Sequence, residues 1–590
     1  MVITRTFDIL DLYRGPYRAK SQALVGKKKG EWYSYSAQDY VEQAEALSRG
    51  LLAHGLGPGD KLVTVTPNRP EWNILDLGMA RIGVIHVPLF TTLAKKEYEA
   101  LLSHTQPELV IVGTKALYEE VATSMEKGAP KAELFSIDEW EGVAHWTQLR
   151  DQGEDRKDEL EERIAPIQEG IGADDTATLI YTSGTTGSSK GVLLSHRNLV
   201  SNARAASEVF QLQPEERYLC ILPLCHIGER MANYQTQLSG CSIYYNEQLG
   251  SIAKDMQEIK PHGFGAVPRL LEQVYDRIVS KGSRAKGIKR RLFLWALEFG
   301  KKHDPVKEGI MERLKRKLAD KLVFAKWREA MGGNVKAIGV GGAAIPSELE
   351  RAFWAADIKL LNMYGLTETS PIITINRPDP PDLKLGTVGT VIPDVDVKLA
   401  DDGEILCKGP NVMQGYFGNE KATEEAFDEA GYFRTGDIGT FEEGKFLRIT
   451  DRKKSLFKLS NGKYIAPAPI EDRLKRSSYI DQSMVIGEGE KFASALIRPD
   501  FEKLKEWARE AGIDGEGPEE LVENAKVDRL FRNVVEQINE ELEKDEQIQR
   551  HRLIADDWSV ETGMLSPTLK LKRRAIQEKY TDTIHGIYRN

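Results

Sequence analysis

Tyr181 to Val192 read YTSGTTGSSKGV. The apolar, strand-like Thr176 to Tyr181 precedes this run and the short apolar Val192 to Leu194 follows it, so it is read as a loop between two strands. Gly184, Gly187 and Gly191 let the backbone turn its amides inward at little steric cost. Ser183, Thr185, Thr186, Ser188 and Ser189 add hydroxyl donors, and Lys190 adds a positive charge. Such a loop suits a polyphosphate. A flexible linker has the same composition, but linkers are seldom flanked on both sides by β-branched and aliphatic residues. The G-x-x-x-x-G-K-[ST] loop is excluded, because Ser189 stands before the lysine and Gly191 after it.

The surrounding 590 residues exceed one ordinary domain and allow a large core with one or two satellites. With 41% hydrophobic and 29% charged residues the composition is that of a soluble enzyme, and a net charge of -9 argues against a nucleic-acid partner. Cys220, Cys225, Cys241 and Cys407 have no C-x-x-C spacing and are too sparse for a disulfide framework, so a reducing cytoplasm is expected. MVITRTFDILDLYRG lacks a continuous apolar stretch, and no run of about eighteen apolar residues occurs, so neither a signal peptide nor a membrane span is expected.

Before the loop, strand-like runs (Lys61 to Thr66, Ile85 to Leu89, Leu109 to Val112) alternate with helix-like ones (Glu71 to Ile82, Lys95 to Ser103), the βαβ rhythm of a parallel sheet. Asp138 to Gly170 is polar and acidic and reads as a surface excursion. After the loop come a helix from about Asn198, a buried strand at Tyr218 to Leu222, and LPLCHIGER, in which an apolar strand is read to end in His226, Glu229 and Arg230. Ser280 to Met331 is basic and helical. A basic amphipathic helix at about 284–302 can lie on an anionic membrane surface, or pack its apolar stripe on the main domain with its charges in solvent. Strands Val335 to Val340 and Lys359 to Met363 run into GGAAIP (Gly341 to Pro346) and YGLTETS (Tyr364 to Ser370), small and polar loops at strand ends, where an open α/β sheet binds its ligand. Tyr364 can stack on a base, and Glu368 can hold a magnesium ion whose shell water and phosphate complete. After Gly386, short strands with glycine-rich turns indicate a small β-rich subdomain, with Asp437 following Tyr432 to Thr435. From Arg452 a compact α+β tail runs to Asn590.

The loop, taken with the later segments in order, resembles the adenylate-forming (AMP-binding) superfamily. LPLCHIGER, FGAVPRL (Phe264 to Leu270) and LSPTLKLKRR (Leu565 to Arg574) are similar to its long-chain fatty acyl-CoA synthetase branch. Ser189, Ser455 and Ser566 stand where the family more often has Pro, an acidic residue and Thr. The resemblance implies an α/β fold: a large N-terminal domain (1–451) of parallel sheets with helices, including a small β-barrel-like subdomain at about 386–451, followed by a small mobile α+β C-terminal domain (452–590).

It implies a reaction joining a long-chain fatty acid to coenzyme A, with ATP as the second substrate and magnesium as cofactor, through an acyl-adenylate; an acyl carrier protein is the alternative acceptor, and a non-catalytic nucleotide- or acyl-binding relative the other reading. By the same resemblance, nucleotide is held by Thr182, Ser183, Gly184, Thr185, Thr186, Gly187, Lys190, Gly341, Gly342, Ala343, Tyr364, Gly365, Thr367, Asp437 and Arg452. The acyl chain meets His226, Val267, Pro268 and Gly339. Lys570, Lys458, Thr186 and Glu368 are implied as catalytic, with Glu368 the metal ligand and Lys454 the hinge between an adenylating and a thioester-forming pose. The expected location is the cytoplasm, with peripheral contact at the inner face of a membrane as the reading that helix 284–302 leaves open.

Overall fold

The computed structural model describes residues 2–182, 189–453, 455–513, 517–566 and 570–589. Two large sheets organise the first three quarters of the chain. One has seven strands, in the order Gly415–Tyr416, Lys190–Ser195, Thr176–Thr182, Ile85–Leu89, Lys61–Val65, Leu109–Val112 and Glu133–Ser136. From Thr176–Thr182 onward neighbours are parallel, and helices Pro70–Ala80 and Lys95–Thr105 make the crossovers that the βαβ rhythm predicts. Strand Leu109–Val112, LVIV, is buried throughout, as a strand covered on both faces must be.

The other sheet has nine strands, ordered Thr390–Val391, Ile372–Ile375, Lys359–Gly365, Ala337–Val340, Gly263–Ala266, Arg217–Cys220, Ser242–Tyr245, Leu24–Lys28 and Glu31–Tyr35. Its middle is parallel and both edges are antiparallel. The sheets are therefore mixed rather than parallel throughout. Short connections such as the turn between Lys28 and Glu31 can only fold a strand back on its neighbour, since a parallel joint needs a crossover of a dozen residues or more.

A buried polar cluster ties the first sheet to helix Ile227–Leu238. Arg230 donates to Thr178 Oγ1 at 2.6 Å and pairs with Asp76, which also accepts from His86 Nδ1 at 2.8 Å and from Tyr234. Burial alone would raise the Asp76 carboxyl; Arg230 and the bonds from His86 and Tyr234 hold it below its ordinary value. Burial lowers His86 to about 4, so it stays neutral.

Three expectations are corrected. Residues 138–170 are not a loose excursion: Trp146, Leu149, Leu160 and Ile164, on helices Trp146–Asp151 and Lys157–Gly170, are buried in the main core. Leu160 and Ile164 are one turn apart, which gives an otherwise acidic helix one inward stripe. His226, Glu229 and Arg230 do not end a strand. The strand stops at Cys220, His226 caps helix Ile227–Leu238, and the other two lie on that helix. The β-rich segment is an open four-stranded antiparallel sheet, Asp396–Leu399, Glu404–Lys408, Phe433–Glu442 and Phe446–Arg452, whose outer strands do not pair with each other among the described residues. Asp437 lies within its third strand.

The basic helix Ile288–Lys302 buries Phe293, Ala296, Leu297 and Gly300 in the core beside helix Ser347–Ala355, so its main apolar stripe faces the main domain. Beyond Phe457 the apolar clusters contain only residues of the C-terminal segment, built on the sheet Ile480–Ile486, Ser494–Pro499 and Arg550–Leu553. All four cysteines are buried and unpaired. No helix among the described residues is long and apolar enough to cross a membrane.

Candidate active site

Strands Gly263–Ala266, Ala337–Val340 and Lys359–Gly365 are neighbours and parallel, so the segments after their carboxyl ends meet along one edge. That edge gathers Val267 and Pro268 at the start of helix Pro268–Ser283, then Gly341, Gly342 and Ala343, then Tyr364, Gly365 and Thr367. The Gly341 amide donates to the Ala266 carbonyl at 3.3 Å, and a Cβ on Gly342 would stand 3.7 Å from Val267 Cγ1. The acyl and nucleotide candidates therefore share a wall. Gly339 leaves room beside Phe210 and Met363, where a Cβ would meet Met363 Cε at 2.8 Å. At Gly365 a Cβ would lie 1.7 Å from the Pro371 carbonyl oxygen, so only glycine allows the turn that carries Glu368 to fold back so closely.

The hairpin Thr176–Thr182 and Lys190–Ser195 presents the glycine-rich loop as expected, with Thr182 Oγ1 donating to the Lys190 carbonyl at 3.5 Å. Ser183, Gly184, Thr185, Thr186 and Gly187 lie outside the described residues, as does Lys454. Lys190 sets its ammonium 4.3 Å from the centre of the Tyr416 ring, and Tyr416 Oη donates to Glu368 Oε1 at 2.9 Å. Tyr416 is fixed in turn because its strand pairs with Lys190–Ser195 and the Met413 amide donates to the Glu368 carbonyl. The sequence reading passed over Tyr416: it sits in MQGYF, which read only as a strand, and nothing in the spacing tied it to either charge.

Opposite, Tyr364 Oη donates to Asp437 Oδ2 at 2.8 Å, and Arg452 Nε stands 3.2 Å from Asp437 Oδ1. Asp437 and Arg452 are cross-strand partners, so the ladder register sets their meeting. Burial raises the Asp437 carboxyl above its ordinary value despite Arg452, the Tyr364 bond and Lys570. Burial and then Asp437 raise Tyr364 well above a free phenol, which keeps it a donor.

Lys570 comes to the same place from the far end of the chain. Its turn is pinned at both sides: the Ser566 amide donates to the Lys570 carbonyl at 2.8 Å, the Lys570 amide donates to Ser566 Oγ at 3.1 Å, and Leu565 bridges Leu571. The residue keeps solvent contact, yet protein surrounds its ammonium closely enough to lower its pKa. Nearby Arg452 adds to that lowering and Asp437 opposes it. His226 feels the same charge: burial first, and then Lys570, lowers its pKa to about 4. His226 Nδ1 accepts from the Gly228 amide at 3.1 Å, so the neutral ring carries its proton on Nε2. Lys458 is not part of this group. It is exposed on the hairpin Phe457–Lys458 and Tyr464–Ile465, 5.4 Å from the Tyr464 ring centre.

No group of three or more His, Cys, Asp or Glu with metal-holding geometry occurs among the described residues. Glu368 makes no ion pair among them, and its carboxylate keeps one oxygen beyond the Tyr416 bond. A single hard, uncompensated carboxylate fits a magnesium ion that takes the rest of its shell from phosphate and water.

The AMP-binding enzyme model matches residues 16–417, and the AMP-binding enzyme C-terminal domain model matches residues 454–590. The long-chain-fatty-acid–CoA ligase FadD15 of Mycobacterium bovis is 32% identical over 567 residues, 95% of this chain and 93% of that protein. The peroxisomal long chain acyl-CoA synthetase 7 of Arabidopsis thaliana is 30% identical, over 97% of this chain and 83% of its own length. Among solved structures, the A domain of a carboxylic acid reductase from Segniliparus rugosus, in complex with AMP and a co-purified carboxylic acid, aligns with a TM-score of 0.75 at 21% identity. The alignment covers 99% of this chain and 94% of that one. At that identity the likeness speaks for the fold alone.

Proposed function

This chain belongs to the AMP-binding enzyme family, and on that premise we propose that it is an AMP-forming long-chain fatty acid–CoA ligase. ATP, fatty acid and coenzyme A are its substrates; acyl-CoA, AMP and diphosphate are its products. The observation that supports the reading is the meeting of Asp437 with Tyr364, Arg452 and Lys570, with His226 within range of the Lys570 charge. The long-chain acyl-CoA ligases to which the chain is similar over nearly its full length support the substrate class.

A fatty acid carboxylate, with a pKa near that of Glu at about 4.3, is ionised at neutral pH and needs no general base. The neutral His226 ring can donate Nε2–H to it. One carboxylate oxygen attacks the α-phosphorus as the bond to diphosphate breaks. Asp437 accepts the ribose hydroxyls, Tyr364 lies against the base, and Lys190 and Lys570 meet the charge that develops on the phosphates. Magnesium, held by Glu368 when bound, screens the triphosphate. Tyr416 keeps the Glu368 carboxylate turned to that task.

In the second step the coenzyme A thiol, as thiolate, attacks the acyl carbonyl carbon. The bond to AMP breaks and the thiol proton passes to solvent. A free thiol of pKa about 8.5 is only a few per cent thiolate at pH 7, so a cation beside it helps. Lys458 supplies that cation only after the segment beyond Lys454 moves, because here Lys458 stands with its own hairpin, apart from Asp437 and Arg452.

The test is diphosphate release with ATP and magnesium across acids of increasing chain length, with and without coenzyme A. Release should rise with long acids, and acyl-CoA should form only when coenzyme A is added. Release indifferent to every fatty acid would overturn the substrate class while leaving the family standing.

A further inference from the structure

Ten large hydrophobic side chains stand exposed among the described residues, and eight of them fall between Ile288 and Leu322. Helix Ile310–Ala319 carries the densest part. It continues through the π turn Asp320–Phe324 into helix Ala325–Ala330, and the far end is anchored by Val323, Phe324 and Trp327 in the core. The near end is not anchored: Ile310 is 83%, Leu314 57% and Leu318 51% exposed, and Ala319 is its only buried residue. A spacing of four puts these side chains on one stripe, which an amphipathic helix of a globular protein would normally turn inward.

Residues 281–328 hold sixteen Lys and Arg against five Asp and Glu, in a chain whose net charge is -9. Lys315, Lys317 and Lys321 form no ion pair among the described residues. An apolar stripe edged by unpaired cations, on a helix that enters the core only at its far end, matches an anionic bilayer in both hydrophobicity and charge.

We propose that helix Ile310–Ala319 docks the protein on anionic lipid bilayers, with Ile310, Leu314 and Leu318 entering the headgroup boundary and Lys315 and Lys317 meeting lipid phosphates. The docking helix thus differs from Ile288–Lys302, whose stripe is mostly buried. Long-chain acids reside in bilayers, so docking would also serve the reaction proposed above, but the docking does not depend on it.

The full chain, without substrates, should sediment with vesicles of phosphatidylcholine containing phosphatidylglycerol. It should sediment weakly with phosphatidylcholine alone, and binding should fall as salt is raised. Leu314→Ser with Leu318→Ser should lower partitioning by about tenfold or more, the order expected for removing buried leucines, with an unchanged melting temperature. Lys315→Glu with Lys317→Glu should abolish the preference for anionic vesicles. Equal binding by wild type and both variants would overturn the proposal, as would no binding by the wild type. So would a wild-type dimer that the leucine variant converts to monomer, since a second copy would then cover the stripe.

Discussion

Lys570 is the residue whose assigned role is easiest to isolate. Its ammonium feels Asp437, Arg452 and His226, the place where the proposed mechanism develops charge during adenylation, and no contact with Lys458 occurs among the described residues. Lys570→Ala should slow acid-dependent diphosphate release about 100- to 1000-fold, the scale of one preorganised donor, yet leave conversion of synthetic acyl-adenylate to acyl-CoA near wild type. An equal loss in both half-reactions would refute the assignment. Tyr416 acts at one remove, by holding Glu368 and lying under Lys190. Removing a hydrogen bond to a charged group costs about 1.5–3 kcal/mol. Tyr416→Phe, which keeps the ring for Lys190, should therefore raise the magnesium concentration for half-maximal activity about tenfold, with a smaller effect at saturating magnesium. A magnesium titration of diphosphate release checks this, and a fall in rate that magnesium cannot restore would count against it.

Helix Ile227–Leu238 shows how one element serves the site and the fold together. His226 at its cap lies within range of the Lys570 charge, while Arg230, in the same motif, points into the core and binds Asp76 and Thr178. Between them Glu229 is fully buried: Tyr218 Oη donates to one oxygen at 3.0 Å and the other has no partner among the described residues. Burial raises its pKa to about 8. The unfolded carboxyl titrates near 4.3, so between these values the folded chain holds a proton that the unfolded chain has lost. The contribution is fully present below about pH 4.3, falls as pH rises by at most ~1.4 kcal/mol per unit, and is flat above about 8. Glu229→Gln removes the titration. Its melting temperature relative to wild type should rise steadily from pH 5 to 8 and then level; parallel profiles would show that Glu229 is ionised in the folded protein.

At the scale of the molecule, two ion pairs among the described residues join the segment beyond Lys454 to the rest of the chain in this pose. Arg269 Nη2 stands 2.6 Å from Asp481 Oδ1, and Lys572 Nζ 3.9 Å from Glu97 Oε1. Partly exposed pairs of this kind are worth about 0–1 kcal/mol each, weak enough to be exchanged during turnover. If the segment swings about Lys454, Lys454→Pro, which fixes φ near -65° and removes a donor, should spare the first half-reaction. It should slow thioester formation by about tenfold or more in single turnover, with acyl-adenylate accumulating. Equal rates for both steps would remove Lys454 as the hinge.

The sequence by itself determined the strand-loop-strand at Tyr181 to Val192, the βαβ rhythm, and the family, because glycine placement, hydrophobic period and motif order are properties of short stretches. It also named Tyr364, Asp437 and Lys570 through motifs. Only the tertiary structure decided that Tyr416 stands between Lys190 and Glu368 and that Arg230 turns away from the pocket. It likewise decided that residues 146–164 join the core and that the stripe of Ile310–Ala319 faces outward. These are contacts between distant parts of the chain. They depend on which strands become neighbours and which face of a helix finds a partner, and the local pattern is the same whether that partner is protein, solvent or lipid.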